Sequence, residues 1–323
     1  MAKNQKTIAI IASGGGHTAY AVAVAEELTS KADIYVVIPA GDRWTRAKME
    51  KYGQVFETEK AAPGSSIWKR VLAVVEGFFQ GLKLPKADVV VATGSNHSIG
   101  PALALKLRGA KLIVIEAIDR VVTKSQAINI LSRFADIVAL HWEEQKNNYP
   151  RGKVYGPILP KVKNVEDKKE EWILITMGTE GYREFFEYLA GNSDELFESE
   201  KIALQTGKVS PTQFEGKFWR VFDFDKNFEL WLSGAKLVIT HQGATAAESA
   251  ILYRKPTIIC FNKRLSGTSG REDTRAFAKL IGAEFCEDFE ELRVALKKVK
   301  TPRTWKLGSE SLAADILSLV NKK

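Results

Sequence analysis

Cysteine is scarce. The chain has two, Cys260 and Cys286, in 323 residues, and their positions fit neither a disulfide framework nor a metal-ligand spacing. Cys260 falls inside the apolar run Thr257 to Phe261, the place of a reduced core thiol. Long apolar runs are missing as well. None approaches the roughly 18–20 residues that cross a bilayer, so any membrane contact is expected to be peripheral. Met1 to Lys6 lead straight into a strand-like run, which leaves no room for a signal peptide and predicts a cytoplasmic chain. No helix-turn-helix, zinc-finger or RNA-platform signature occurs, and no basic block is interleaved with aromatics, so nucleic acid is not an expected partner. No set of His, Cys, Asp and Glu has metal-ligand spacing, and neither metal nor cofactor is expected.

What the chain does have is positive charge: a net +8 and a pI near 9.2. That balance favours an anionic partner, with phosphorylated substrates and anionic lipid headgroups as the remaining classes. A 45% hydrophobic and 27% charged composition is that of a folded protein, and 323 residues suit two domains better than one core.

Apolar runs alternate with helical patterns throughout. Strands are expected at Thr7–Ala12, Ile34–Ile38, Val89–Ala92, Leu112–Glu116 and Ile137–Leu140, then at Trp172–Thr176, Lys201–Gln205, Leu237–Thr240 and Thr257–Phe261. Val- and Ile-rich runs without polar alternation suit strands covered on both faces, hence parallel sheets in an α/β doubly wound architecture. Helices are expected at Ala19–Leu28, Ile99–Leu107 and Thr245–Leu252. The expected division is a first domain over 1–160, a charged linker over 161–171 and a second domain over 172–304. A C-terminal helix over 305–323 is expected to pack across the boundary. The segment Ile67 to Leu84 carries a broad apolar stripe flanked by Lys69, Arg70, Lys83 and Lys86. It reads as a core helix, as a helix packed on a partner, or as an interfacial helix that touches lipid.

Two stretches carry chemistry. Thr240-His241-Gln242-Gly243-Ala244-Thr245 follows a buried strand and opens a helix, with Glu248 one turn further on. Unpaired N–H groups at such a turn suit a diphosphate, and a carboxylate one turn on suits ribose hydroxyls; the plain alternative is a turn that the fold requires. Met177-Gly178-Thr179 and Gln205-Thr206-Gly207 end two further strands of the same half, which favours a nucleotide site. In the first half, Ser13-Gly14-Gly15-Gly16-His17-Thr18 lacks the Lys-Ser/Thr of a P-loop and the spacing of a dinucleotide fingerprint. Its glycines let backbone approach an anion, and His17 at the edge suits a general base, a helix cap or a phosphate ligand. His97, Glu116 and Arg120 lie at other strand ends and read as site-lining or as loop residues; His141 reads as structural.

At these residues the chain resembles a glycosyltransferase family. Ser13 to Thr18, Ile115 to Val121 and Ala135 to Trp142 are similar to the membrane-anchoring acceptor subunit of the eukaryotic enzyme that adds the second N-acetylglucosamine to dolichol-linked precursors. Met177-Gly178-Thr179, Gln205-Thr206-Gly207 and Thr240 to Ala244 resemble its donor subunit, and both halves resemble the single-chain bacterial MurG. The chain looks like an archaeal or bacterial fusion of the two subunits. The resemblance implies a GT-B fold, two Rossmann-like domains facing across a cleft. It implies a UDP-sugar on the second domain and a lipid diphosphate-linked sugar acceptor on the first, at the cytoplasmic face of the membrane. It places His17 as catalytic base, and the loop and strand-end residues Gly14, Gly15, Gly16, Thr18, His97, Glu116 and Arg120 are expected at the acceptor. It places Gly178, Thr179, Gln205, Gly207, His241, Gln242, Gly243, Ala244, Thr245 and either Glu248 or Ser249 at the donor. Inversion by single displacement, without metal, is the implied reaction.

The chain departs from the family at three points. The family's ribose carboxylate stands eight residues after the turn histidine, where this chain has Ser249, with Glu248 one short. The family's sugar-facing Asn-His-Gln corresponds to Arg271-Glu272-Asp273, and its N-terminal anchor has no counterpart. The expected activity is thus transfer of N-acetylglucosamine or a related sugar. A UDP-sugar 2-epimerase on the same fold and a non-catalytic lipid-binding subunit are the alternatives.

Overall fold

The computed structural model describes residues 6–62, 65–162, 171–265 and 269–321. The chain divides into two compact units: one runs to Pro160 and resumes at Lys306, the other spans Lys161–Trp305. The linker expected over 161–171 lies mostly outside the described residues.

The first unit holds one sheet. Its strands are β1 (Thr7–Ile11), β2 (Asp33–Pro39), β3 (Gln54–Thr58), β4 (Val89–Ala92), β5 (Lys111–Ile115), β6 (Ile137–Leu140) and β7 (Lys153–Val154). The order is β3-β2-β1-β4-β5-β6-β7, with every pair parallel. Ile8 sits opposite Ile34 on one side and Val89 on the other, and the strand is sealed between helices on both faces, which is why its sequence shows no polar alternation. The connecting helices are α1 (His17–Leu28), α2 (Arg43–Met49), α3 (Ile67–Leu82), α4 (Ile99–Leu107) and α5 (Gln126–Leu131).

The second unit repeats the plan. Strands β8 (Trp172–Thr176), β9 (Ile202–Gln205), β10 (Arg220–Phe222), β11 (Ala235–Thr240), β12 (Thr257–Cys260) and β13 (Glu284–Cys286) run in the order β10-β9-β8-β11-β12-β13, again all parallel. Its helices are α6 (Arg183–Phe197), α7 (Phe228–Gly234), α8 (Ala244–Ala247), α9 (Arg271–Ile281) and α10 (Leu292–Lys298). The helix expected over Thr245–Leu252 begins as α8 and widens into a π turn at Glu248–Leu252. In both sheets the strand order reverses at one point, between β1 and β4 and between β8 and β11. Open α/β sheets bind ligands outside the strand C-termini at such points.

The C-terminal helix, α11 (Ser309–Asn321), belongs to the first unit. Leu312 and Ile316 are fully buried, each contributing about 1.5–3 kcal/mol, and the helix packs on α1. Ser309 Oγ donates to the Leu159 carbonyl at 2.8 Å, and Tyr155 Oη donates to Asp315.

Helix α3 inverts the usual arrangement. Its buried residues are glycines, Gly77 and Gly81. A Cβ on Gly81 would come within 2.8 Å of Ala104 and of Pro101, and one on Gly100 within 2.3 Å of the Val74 carbonyl, so α3 and α4 pack at near-backbone contact. The large side chains consequently face away: Trp68 is 75% exposed and Phe79 60%. The core-helix reading of this segment is therefore corrected, because the residues that would have filled a core lie outside it. Among the described residues no helix is long and apolar enough to cross a membrane.

Candidate functional site

In the first unit the β1 loop turns through Gly14 (φ +83°) and Gly15 (φ +55°), a left-handed backbone that glycine adopts freely, and delivers His17 to the first turn of α1. Gly14 admits no side chain: a Cβ there would lie 2.7 Å from Asp42 Oδ2 and 3.4 Å from Lys60 Nζ. A Cβ on Gly15 would meet nothing within 4 Å, and the residue is exposed, so the loop is open on that side. His17 reaches across to the β4 loop. Its ring nitrogen Nδ1 lies 2.7 Å from the Thr93 carbonyl, which only accepts, so Nδ1 carries the proton and Nε2 holds the lone pair. Gly94 (φ +107°) makes room for the ring, since a Cβ there would stand 2.8 Å from Cε1. Burial pushes the His17 pKa down to about 4, against the Thr93 bond, with the Lys60 charge adding to the fall. The imidazole is therefore neutral at physiological pH, one tautomer fixed, its free nitrogen beside the open Gly loop.

The second unit places the equivalent loops, those after β8 and β11, side by side in the same way. His241 follows β11 and lies on Gly178 (φ +64°) of the β8 loop, where a Cβ would stand 2.6 Å from Nε2. Its Nδ1 is buried and has no hydrogen-bond partner, and neither has Thr240 Oγ1. Burial lowers the His241 pKa to about 4, against a smaller upward pull from the Gln242 backbone. Two unsatisfied polar atoms at one strand end carry a cost of about 1–3 kcal/mol each, which a ligand bonded there would offset. The Gly243 turn (φ +130°) opens α8 with no side-chain cap on its N–H groups. Thr179 is exposed, while Gly178, Ala244, Thr245 and Glu248 are half-buried around this end of the sheet. Gln205 is held by Thr176 Oγ1 and by the Asp223 carbonyl. Gly207 (φ +59°) has a plain structural reason, because a Cβ there would meet the Gly178 and Thr179 carbonyls at about 2.5 Å.

Several residues expected at the site turn inward instead. Glu116 is fully buried, accepting from Tyr149 Oη at 2.5 Å and from the backbone N–H of Ala117 and Ser125. It orders the loop that follows β5 rather than facing an acceptor. His97 is 4% exposed, wedged between Ser13 Oγ at 3.4 Å and Thr58 Oγ1 at 2.8 Å. The Thr18 hydroxyl is buried on Thr45 Oγ1. Gln242 is buried with its amide on Asn262 and Ser269 backbone, and Ser249 is fully buried with Oγ on Thr257 Oγ1 at 2.7 Å. Between the two ribose candidates, Glu248 is the one not sealed in the core. Arg120 stays half-buried, bonded to Thr123 Oγ1. His141 is structural as expected: Nε2 donates to the Glu116 carbonyl and Nδ1 accepts from Ile158 N–H.

Sequence reasoning missed Asp42 and Lys60, which flank Gly14, and Phe224, an exposed ring two residues after β10. Lys60 follows β3, a strand whose sequence gave no clear signal; Phe224 sits in an aromatic-rich run that points to packing. No group of three or more His, Cys, Asp or Glu placed to hold a metal ion occurs among the described residues.

Residues 172–304 match the model of the glycosyltransferase family 28 C-terminal domain. No curated protein sequence matches the chain. Among solved structures the chain is similar to MurG of Acinetobacter baumannii, with 18% identity, a TM-score of 0.67, and 97% of this chain and 99% of that one covered. It is similar to the glycotransferase of kitacinnamycin, with 13% identity, a TM-score of 0.66 and coverage of 99% and 95%. It is also similar to UDP-N-acetylglucosamine 2-epimerase from Rickettsia bellii, with 14% identity, a TM-score of 0.65 and coverage of 98% and 96%. The fold is the GT-B fold of MurG, built of two parallel-sheet Rossmann-like domains.

Proposed function

We propose that the chain is an inverting glycosyltransferase that moves N-acetylglucosamine or a related sugar from a UDP-sugar to a lipid diphosphate-linked sugar. The observation that carries this reading is His17. A neutral imidazole whose Nδ1 donates its proton to the Thr93 carbonyl, leaving the Nε2 lone pair beside the Gly loop, suits a base for a hydroxyl nucleophile. The family 28 match over the second unit supports a UDP-sugar there. In the proposed reaction His17 Nε2 takes the proton of the acceptor hydroxyl as its oxygen attacks the anomeric carbon. The bond from that carbon to the diphosphate oxygen breaks, the configuration inverts, and UDP leaves. No step is routed through a metal or a cofactor.

On the second unit, Thr240 Oγ1 and His241 Nδ1 are the unsatisfied atoms that the diphosphate would meet, beside the uncapped N–H groups after Gly243. Glu248 takes the ribose hydroxyls, and Phe224 offers a face for the base. The exposed Trp68, Leu72 and Phe79 of α3, with Lys69 and Arg70 between them, form the contact with an anionic bilayer on its cytoplasmic side.

The test is transfer from radiolabelled UDP-N-acetylglucosamine to a short-chain prenyl diphosphate sugar, wild type beside His17→Gln. Loss of a general base costs roughly 10²–10⁴-fold in kcat. Formation of the epimerised UDP-sugar without any acceptor would replace this reading with the 2-epimerase. Activity undiminished in His17→Gln would remove the base assignment.

A further inference from the structure

We propose that Ser98 is a positioning residue: it holds the loop after β4 in a strained left-handed turn, and through that turn keeps the Thr93 carbonyl on His17. The effect on rate rests on the transferase reading above, whereas the effect on the ring is read without any substrate.

Two consecutive residues of Thr93-Gly94-Ser95-Asn96 have left-handed backbone, Gly94 at φ +107° and Ser95 at φ +64°, ψ +154°. Glycine adopts the first freely. The second is a region that essentially only glycine visits, because a Cβ there crowds the backbone. Two other non-glycine residues with positive φ occur among the described residues, Glu198 and Arg254, and they precede β9 and β12, away from the strand ends that carry the candidate site. Strain of this kind persists only where the surroundings over-determine it. Here the turn is fastened at both ends. Upstream, Thr93 gives its N–H and its hydroxyl to the Ile11 carbonyl, at 3.3 and 2.9 Å. Downstream, Ser98 gives its N–H and its hydroxyl to the Ser95 carbonyl, at 3.0 and 2.8 Å. Ser98 is fully buried, so water does not compete for either bond.

Between the two fastenings stand the Thr93 carbonyl, 2.7 Å from His17 Nδ1, and Gly94, whose missing side chain leaves the space that the ring fills. Released from Ser98, Ser95 relaxes to negative φ, and the peptides on either side turn with it. The Thr93 carbonyl then leaves Nδ1, and nothing fixes which ring nitrogen carries the proton. A ring protonated on Nε2 has no lone pair where the proposed reaction needs one. Ser98 thus sets the fraction of molecules whose base is ready, although it is itself sealed from both substrates.

The experiment is nitrogen-15 NMR of the full chain with labelled histidine at pH 8, as wild type, Ser98→Ala, Ser95→Gly and the double variant. Four histidines contribute, and His17→Gln assigns the ring in question. In the wild type, His17 Nδ1 should resonate as a protonated ring nitrogen and Nε2 as an unprotonated one. Ser98→Ala should move both towards the average of two tautomers. In the transfer assay above it should lower kcat about fivefold, the loss of one hydrogen bond, with KM for UDP-N-acetylglucosamine within about twofold. Ser95→Gly alone should raise the thermal midpoint by about 2–4 °C, since glycine makes the turn without strain. In the double variant it should restore the wild-type shifts and most of kcat, because glycine keeps the left-handed turn without a clamp. A merely structural Ser98 would not be rescued in this way. His17 shifts unchanged in Ser98→Ala, or a mixture that Ser95→Gly leaves uncorrected, overturn the proposal. Where Ser98→Ala does not fold, Ser95→Gly decides: a higher midpoint with unchanged His17 shifts supports the clamp, and a lower midpoint overturns it. Wild type with the expected shifts but no transfer counts against the transferase reading instead.

Discussion

Lowering the pH should dismantle the first unit before the second. All four histidines of the sequence have depressed pKa values, His17 and His241 to about 4 and His97 and His141 to about 3, and burial is the first cause in each. In the unfolded chain each titrates near 6.5. Between about pH 6.5 and 4 the unfolded chain therefore binds protons that the folded chain does not, and stability falls as pH falls through that window. Each histidine contributes about 1.4 kcal/mol per pH unit, once the unfolded form is fully protonated. His17, His97 and His141 lie in the first unit and His241 in the second. At pH 5.5 the first unit has lost about 4 kcal/mol relative to pH 8 and the second about 1.4 kcal/mol. Against a typical domain stability of about 5–15 kcal/mol, only the first loss is decisive. Glu116 works in the opposite sense, because burial raises its pKa, but it is one group against three.

The assay is hydrogen exchange read by mass spectrometry at pH 8, 6.5 and 5.5, with rates corrected for intrinsic pH dependence, alongside urea titrations. Peptides from β1, β4 and β6 should lose global protection at pH 5.5 while those from β8 and β11 keep theirs. The urea midpoint of the first transition should fall with a slope corresponding to about three protons. Simultaneous loss in both units, or a slope of less than one proton, would refute the reasoning: the histidines would then not be held neutral by the fold.

Three further outcomes are expected. Gly178→Ala should destabilise the second unit by about 1–3 kcal/mol and abolish UDP binding, since it adds left-handed strain and a Cβ 2.6 Å from His241 Nε2; Gly15→Ala, strained but uncrowded, should cost only about 1–2 kcal/mol, and urea titrations compare the two. Thr240→Val removes a buried hydroxyl without a partner, so the free protein should gain about 1–2 kcal/mol while UDP affinity falls about tenfold; calorimetry and thermal melts read both changes. Trp68→Ser with Phe79→Ser should leave the melting temperature within a few degrees, because both rings are exposed, yet should lower sedimentation with anionic vesicles severalfold.

The fold was legible where strands are buried on both faces. Val89–Ala92, Ile137–Leu140 and Trp172–Thr176 match their expected limits, and the other central strands differ only at their ends. The strands that escaped, β3, β7, β10 and β13, all lie at a sheet's edge, and β7 is only two residues long. An edge strand packs against one neighbour, so Gln54-Val55-Phe56-Glu57-Thr58 and Arg220-Val221-Phe222 carry too few apolar residues to stand out. Helix α3 was legible as a stripe but not as an orientation. Its direction depends on Gly77 and Gly81 meeting Gly100 and Pro101 of another helix, a fit that no periodicity reveals.

The candidate site was legible as loops of glycine and histidine at strand ends and illegible in its side-chain directions. Polar residues at strand ends look alike in sequence, whether they face a ligand, as Thr240 does in the reading above, or brace a loop, as Glu116, His97 and Gln242 do. What separates them is hydrogen-bond satisfaction. Glu116, His97 and Gln242 have their polar atoms matched within the protein, whereas Thr240 Oγ1 and His241 Nδ1 do not. The two units also use the same device in opposite sense. In the first, the histidine leaves the β1 loop and lies on a glycine of the β4 loop; in the second, it leaves the β11 loop and lies on a glycine of the β8 loop. Each bridges the two loops at its sheet's reversal point, His17 with Nδ1 on the Thr93 carbonyl and His241 with Nδ1 unmatched. A ring nitrogen bonded to a carbonyl fixes the other as a proton acceptor, which suits a base. A ring with a buried unmatched nitrogen waits for a partner, which suits a ligand contact. The Thr93 carbonyl that meets His17 has no counterpart at His241 Nδ1, a difference invisible in two similar Gly-His motifs, and in the reading proposed above it suits His17 to proton transfer and His241 to nucleotide contact.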